Sequence, residues 1–313
     1  MPAAIKASEK FNILSKPKDG VKGKPCLGGI AIYVSFVSTL AAVYFLKPGI
    51  HVNFYGLVIS SAIIVVLGLV DDIKDLKPAG KITVELLAAG FLMLFGTITK
   101  ISFFPAWLNI LVTCVWVLLI TNAFNLLDIV DGLTSGLVII ISLTLLVISL
   151  VNKDIFSSMI LTALIGAHAG FLRYNYPPAK IYMGDAGSLL SGFLLAGIAI
   201  NISYAPLEKP IALITPLIAM SLPVYDTLFL IIMRAGKKKP IFNKSDDHFA
   251  LRLMVMGYSV RKSVWTMYTL SIFLAVSSLI VAFAPNTTGI LTTIVVLSVF
   301  FIIGRKFGMI KVA

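Results

Sequence analysis

From Ser263 to Gly304 the chain carries no charged residue. A helix needs about 20 residues to cross the hydrocarbon of a bilayer, so this run is too long for one straight crossing. The polar, turn-forming segment APNTTG at 284–289 divides it in two. Uncharged apolar runs separated by short polar breaks continue back to Gly28, and 58% of all residues are hydrophobic against 13% charged. A soluble globular domain does not have that balance. The sequence predicts an all-α polytopic membrane protein of about ten transmembrane helices.

The predicted crossings cover 28–46, 54–70, 82–99, 106–121, 133–151, 156–172, 189–204 and 211–233, with two more between 263 and 304. Pro216 and Pro223 predict a kink in the eighth. Residues 1–27 form a basic tail, 28–304 a single transmembrane catalytic domain with polar loops at 71–81, 122–132, 173–188 and 234–262, and 305–313 a second basic tail. Within the first tail, the apolar patch FNIL at 11–14 suits the membrane interface. An even number of crossings puts both tails on one side. All of the 26 Lys and Arg residues except Lys47, Lys100, Lys153 and Lys209 then share that side, which the positive-inside rule makes cytosolic. Membrane topology also accounts for the net charge of +12, because the basic residues are spread over loops and form no nucleic-acid-binding tract. No cleavable signal peptide precedes the first crossing. Cys26 and Cys114 match neither a disulfide framework nor a metal-ligand spacing.

Three acidic clusters lie at edges of apolar runs: GLVDDIK at 68–74, NLLDIVDG at 125–132 and YMGDAGS at 182–188. A carboxylate beside hydrocarbon is costly unless it is paired, hydrated or bound to metal. In a helix, Asn125, Asp128 and Asp131 would recur every third residue and face one space. Asp71 and Asp72, with Lys74 close behind, suit a divalent cation and a phosphate. Asp185, between Gly184 and Gly187, reads either as a turn aspartate or as a metal ligand beside a bulky diphosphate. Tyr182 can stack on a base or anchor at the interface. Glu85 reads as a cap on the opening turn of the third crossing. His248, in the polar loop SDDHFALRL at 245–253, can donate to phosphate or exchange protons. Asp226 reads as pairing within the bundle, and GAHAG at 166–170 as a weak helix-packing pattern. All three acidic clusters fall on the cytosolic side, and they read as one assembled site.

These stretches, with KGKPCLGG at 22–29 and FLRYNYPPAKIYMGDAGS at 171–188, occur in one order along nearly the whole chain. The combination resembles the polyprenyl-phosphate N-acetylhexosamine-1-phosphate transferase superfamily. The resemblance implies transfer of N-acetylhexosamine 1-phosphate from a UDP-sugar to a polyprenyl phosphate, undecaprenyl phosphate being the expected acceptor. UMP leaves, and a polyprenyl-diphospho-sugar remains for cell-envelope glycan assembly. It also implies Mg2+, with Mn2+ as a substitute, an inner-membrane location, and compatibility with a homodimer. Carried over by residue, Asp185 is the metal-binding aspartate and Asp71 with Asp72 the pair beside the lipid phosphate. Asp128, Asp131, Asn125 and Asn175 belong to nucleotide recognition and site organisation, Tyr182 to the uracil, and Lys22, Lys74 and His248 to the phosphates. Whether Asp71 or Asp72 acts as a base stays open.

Two features depart from the family pattern. Ala250 and Leu251 stand where further histidines usually follow His248, which points away from the muramoyl-pentapeptide branch and toward GlcNAc. A basic tail replaces the helix that usually precedes the lysine-glycine motif. A lipid or nucleotide-sugar transporter is the alternative class, but it calls for polar groups near mid-membrane rather than on one side.

Overall fold

The computed structural model describes residues 1–15, 23–46, 52–204, 209–237 and 247–310. The described residues are helical throughout, apart from turns and one isolated bridge between Leu14 and Pro25. In order, the helices are α1 (Pro2–Lys10), α2 (Gly28–Leu46), α3 (Val52–Lys74), α4 (Pro78–Leu94), α5 (Ala106–Leu127), α6 (Leu133–Val151), α7 (Ile155–Asn175) and α8 (Gly184–Asn201). A 3-10 turn at Pro210–Ile214 leads into α9 (Thr215–Ala219), followed by α10 (Ser221–Gly236), α11 (Phe249–Val255), α12 (Val260–Phe283) and α13 (Asn286–Gly308).

Among the described residues, eight helices are long and apolar enough to cross a membrane, or nine if α9 and α10 form one broken span. The expected ten is therefore eight to nine on this measure. The difference is α4, whose 17 residues are at the lower limit of a crossing and which runs from the end where α3 stops to the end where α5 begins. The predicted kink is a break of 71° between α9 and α10. It falls at Met220, because Pro223 has no N–H to offer the carbonyl of Ala219 four residues earlier. The division of the last apolar run holds: α12 ends at Phe283 and α13 begins after Pro285.

α8 is the central helix. Its residues from Ala186 to Ala199 are all buried, and α2, α3 and α5 pack around it. Lipid gives helices no hydrophobic drive to associate, so close packing of small side chains must supply much of the attraction. Glycines create that closeness here. A Cβ added at Gly29 of α2 would lie 2.2 Å from the nitrogen of Gly187, one at Gly68 of α3 2.4 Å from the Cα of Ala186, and one at Gly192 2.7 Å from the carbonyl oxygen of Ile120 on α5. α3, α5 and α7 end, and α2, α4, α6 and α8 begin, at the same end of the bundle, where the three acidic clusters lie.

Two local expectations change. Glu85 does not cap α4: the helix begins at Pro78, whose missing N–H costs nothing at a first position, and Glu85 lies fully buried further along it. There its Oε2 accepts from Asn122 Nδ2 on α5 at 2.5 Å. The N-terminal tail also folds. α1 packs back toward α2, Ser8 Oγ accepts from the Cys26 amide at 3.0 Å, and Phe11 is left exposed.

Candidate active site

The site starts from the first turn of α8. Gly184 adopts φ +68°, a left-handed conformation that glycine enters freely, and this turns the chain into the helix. The leading amides of a helix have no intrahelical acceptor and favour an anion. Asp72 is that anion: its Oδ1 accepts from the Asp185 amide at 2.8 Å and its Oδ2 from the Ala186 amide at 3.3 Å. A side chain at Gly184 would strike the Asp72 carboxylate, with its Cβ 2.5 Å from Oδ2. The cradle therefore requires the glycine.

Asp71, the next residue on α3, is nearly buried and points elsewhere. Its Oδ1 accepts from the Leu76 amide at 2.7 Å, and its Oδ2 pairs with Lys81 Nζ on α4. The same ammonium lies 3.1 Å from Asp185 Oδ2. Lys81 thus links the α3 and α8 carboxylates. In the sequence it is one of three lysines of the 71–81 stretch. Its signal is its place four residues before Glu85, just inside a helix opened by Pro78.

The 125–132 stretch is not one helical face. α5 stops at Leu127, Asp128 caps it, and Gly132 at φ +79° opens α6. Asn125 donates from Nδ2 to Ser188 Oγ on α8 at 2.9 Å. Asp131 accepts the Ala179 amide on Oδ2 at 2.8 Å, with Lys24 Nζ 3.8 Å away. Lys24 Nζ also lies 5.0 Å from the centroid of the Tyr182 ring, so a cation, an aromatic face and a carboxylate adjoin. In the sequence Lys24 is one of six lysines of the basic tail, and only its partners single it out. Lys22 lies outside the described residues, and Lys74 is exposed at the last position of α3.

Burial pushes the Asp128 carboxyl up to about 7, and the charges of Asp185 and Asp131 add to the shift. Burial likewise pushes the Cys26 thiol up to about 12, reinforced by Asp72, Asp128 and Asp185. Carboxylates from α3, the α5 end and α8 therefore act on one sulfur. Lys81, the first amides of α8 and the Asn125–Ser188 contact join the acidic clusters into one unit.

The backbone around this unit is fixed by a buried asparagine, by backbone hydrogen bonds and by an exposed arginine. Asn175 is buried; its Oδ1 accepts from the Gly132 amide at 2.9 Å and its Nδ2 donates to the Ile181 carbonyl at 2.9 Å. It joins two site loops, with both ends of its amide occupied. The Tyr182 amide donates to the Pro25 carbonyl at 2.8 Å, and the Gly28 amide to the Tyr182 carbonyl at 3.0 Å. From α12, Arg261 Nε donates to the Pro177 carbonyl at 3.1 Å.

His248 is tied to Asp226 rather than to the carboxylate unit. Its Nδ1 lies 2.7 Å from Asp226 Oδ2, while the Phe249 amide donates to Oδ1 at 2.8 Å. A carboxylate on Nδ1 fixes the ring's orientation and leaves Nε2 as the nitrogen for a ligand. Asp226 pairs within the bundle as expected. Arg252 is completely buried and anchors the same segment: its Nη2 donates to Asp247 Oδ1 at 2.6 Å and its Nη1 to the Phe307 carbonyl at 2.5 Å.

Among the described residues, no three His, Cys, Asp or Glu side chains form a ready cage for a metal. Magnesium does not require one, since it commonly binds through one or two carboxylates together with substrate phosphates and water. The Asp185 side chain, 37% exposed beside the nearly buried Asp71, is a hard oxygen donor whose present partner is the Lys81 ammonium. The donor set fits such an ion.

Residues 54–203 match the family described as glycosyl transferase family 4. A probable undecaprenyl-phosphate N-acetylglucosaminyl 1-phosphate transferase of Bacillus subtilis is 30% identical over 299 residues, covering 92% of this chain and 81% of that protein. The chain belongs to glycosyl transferase family 4. A decaprenyl-phosphate N-acetylglucosaminephosphotransferase of Mycolicibacterium smegmatis is 28% identical, with 83% of this chain and 73% of that protein covered. A phospho-N-acetylmuramoyl-pentapeptide-transferase of Streptococcus uberis is 30% identical, with 83% and 84% covered. The family 4 match includes the acidic clusters of α3, the 125–132 turn and α8, but not the His248 segment.

Proposed function

We propose that this family 4 protein transfers N-acetylglucosamine 1-phosphate from UDP-GlcNAc to a membrane polyprenyl phosphate, undecaprenyl phosphate being the expected acceptor. The observation that carries this reading is the gathering of Asp71, Asp72, Lys81, Asp128 and Asp185 around the first turn of α8, at one end of an apolar helix bundle. A water-soluble diphosphate donor and a lipid-anchored phosphate can meet at such an end, but not within hydrocarbon.

In the reaction, an oxygen of the lipid phosphate attacks the sugar-linked phosphorus of the donor. The bond from that phosphorus to the bridging oxygen breaks, and UMP departs with the electron pair. Asp185 would hold magnesium, which when bound neutralises the diphosphate and the charge growing on UMP. Asp72 keeps Asp185 in place by fixing the start of α8. Tyr182, with Lys24 at its face, offers a stacking surface for uracil, and Asp131 lies beside it. Asp128, whose carboxyl is pushed up by burial, lies with Asp131 on the nucleotide side of the site. Lys22, Lys74 and His248 serve the phosphates, and Asn175 positions the loops.

The choice of GlcNAc rests on the Bacillus subtilis relative, whose match covers 92% of this chain against 83% for the pentapeptide transferase, and on the His248 segment. Ala250 is buried in α11, so this position belongs to the core and not to a donor-binding surface. Purified protein, polyprenyl phosphate and a panel of radiolabelled UDP-sugars test the proposal. Label is expected to enter lipid from UDP-GlcNAc, and at least about tenfold more slowly from UDP-MurNAc-pentapeptide, a difference of about 1.4 kcal/mol. Preferred use of the pentapeptide donor would overturn the choice of sugar, and no transfer from any donor would overturn the reaction.

We further propose that the site faces the cytosol across the cytoplasmic membrane. Lys77 and Lys153, both exposed, lie at opposite ends of the bundle. With Cys26 and Cys114 replaced, a single cysteine at 153 is expected to react with an impermeant thiol reagent on intact cells and one at 77 to stay protected. The reverse pattern would invert the orientation.

A further inference from the structure

Lys81 occupies the place that a cation at Asp185 would contest. Its ammonium lies 3.1 Å from Asp185 Oδ2 and also pairs with Asp71. A divalent ion on Asp185 and an ammonium at that distance repel each other, in a part of the protein where water screens them poorly. The lysine keeps Asp71, and another anion would draw it away from the ion.

The structure holds one in reserve. Glu85 is completely buried, with Oε2 taken by Asn122 Nδ2, while its Oε1 has no hydrogen-bond partner among the described residues. A buried carboxylate oxygen without a partner carries the full cost of leaving water and calls for an explanation. Glu85 follows Lys81 by four residues on α4, so the two share a face of the helix. Helical side chains lean toward the N-terminus, which brings the Glu85 carboxylate toward the level of Lys81. A lysine's four-carbon stem carries its charge between neighbouring partners with little backbone movement.

We propose that Lys81 is a two-position switch: it bridges Asp71 and Asp185 when no metal is bound, and turns about Asp71 onto Glu85 Oε1 when a divalent cation takes Asp185. Glu85 is then a positioning residue for metal entry, acting through Lys81. Asn122 holds the receiving carboxylate in place from α5. The switch rests on the assignment of Asp185 as metal ligand in the proposed function.

Metal binding can be measured without turnover. Mn2+ is titrated into the purified full-length protein in detergent, with and without UDP, and the free ion is followed by electron paramagnetic resonance. Wild type is expected to bind Mn2+, and Asp185→Asn to lose it. Glu85→Gln, which keeps the shape and the Asn122 contact, is expected to weaken binding about tenfold. In a Lys81→Met background, where no ammonium needs relocating, Glu85→Gln is expected to change nothing. Glu85→Asp keeps the charge but shortens its reach, and provides a second variant with a smaller loss in the same direction.

An equal loss in both backgrounds would mean that Glu85 acts only as a distant charge, and an unchanged affinity in Glu85→Gln would mean that it plays no part. Either result overturns the switch while leaving the metal at Asp185. Wild type and Asp185→Asn binding Mn2+ alike would overturn both.

Discussion

Asp185→Asn is expected to lower transfer by about a thousandfold while leaving the protein folded. The two halves of this expectation rest on different contacts. The fold around residue 185 depends on its backbone amide, which donates to Asp72 and is unchanged by the substitution. The Asp185 side chain has Lys81 as its ion-pair partner, and Lys81 keeps Asp71 when that partner is lost. An amide of the same shape therefore costs little stability. It does remove the negative charge on which the proposed magnesium site depends, and with it the charge stabilisation proposed for the departing UMP. Initial rates with labelled UDP-GlcNAc across a magnesium series, together with thermal unfolding in detergent, separate the two effects. Near-normal turnover with unchanged magnesium dependence would remove Asp185 from the metal site, and a collapse in unfolding temperature would show that its side chain is structural.

What the sequence revealed of this site follows from what its patterns encode. Apolar runs and their polar breaks locate helices and helix ends, so the gathering of the three acidic clusters at one end of the bundle was legible from alternation alone. The way those ends meet is a tertiary matter. Asn125, Asp128 and Asp131 have helical spacing, yet the helix stops at Leu127 because Gly132 turns the chain into α6. The three residues still lie at one end of the bundle, but on a helix end and a turn. Glu85 has the composition of a helix cap, whereas its role depends on Asn122, 37 residues away. Lys81 and Lys24 were hidden for the same reason. A lysine in a basic loop looks like any other until the partner that singles it out is known, and Asp185 is 104 residues from Lys81.

Gly68→Ala is expected to disrupt both stability and activity, although position 68 touches no substrate. The added Cβ would lie 2.4 Å from both the nitrogen and the Cα of Ala186, and 2.6 Å from the carbonyl carbon of Asp185. These are backbone atoms of a central helix packed by α2, α3 and α5, and they cannot yield as a flexible side chain would. α3 must move instead. Gly68 lies one turn before Asp72 on the same face of α3, so the close approach at the glycine is what brings the Asp72 carboxylate to the first amides of α8. Overpacking of this kind costs about 1–3 kcal/mol. A shift of about 1 Å at a catalytic group can cost about a hundredfold in rate. Gly90→Ala on α4 is the control, because a Cβ there meets nothing within 4 Å. In a helix interior, that change is worth up to about 1 kcal/mol of stabilisation. Thermal unfolding and transfer rate should therefore fall together for Gly68→Ala and hold steady or rise for Gly90→Ala. Wild-type behaviour of Gly68→Ala in both assays would mean that α3 and α8 can separate without disturbing Asp72 and Asp185, and the role of helix packing in placing the proposed metal ligand would be lost.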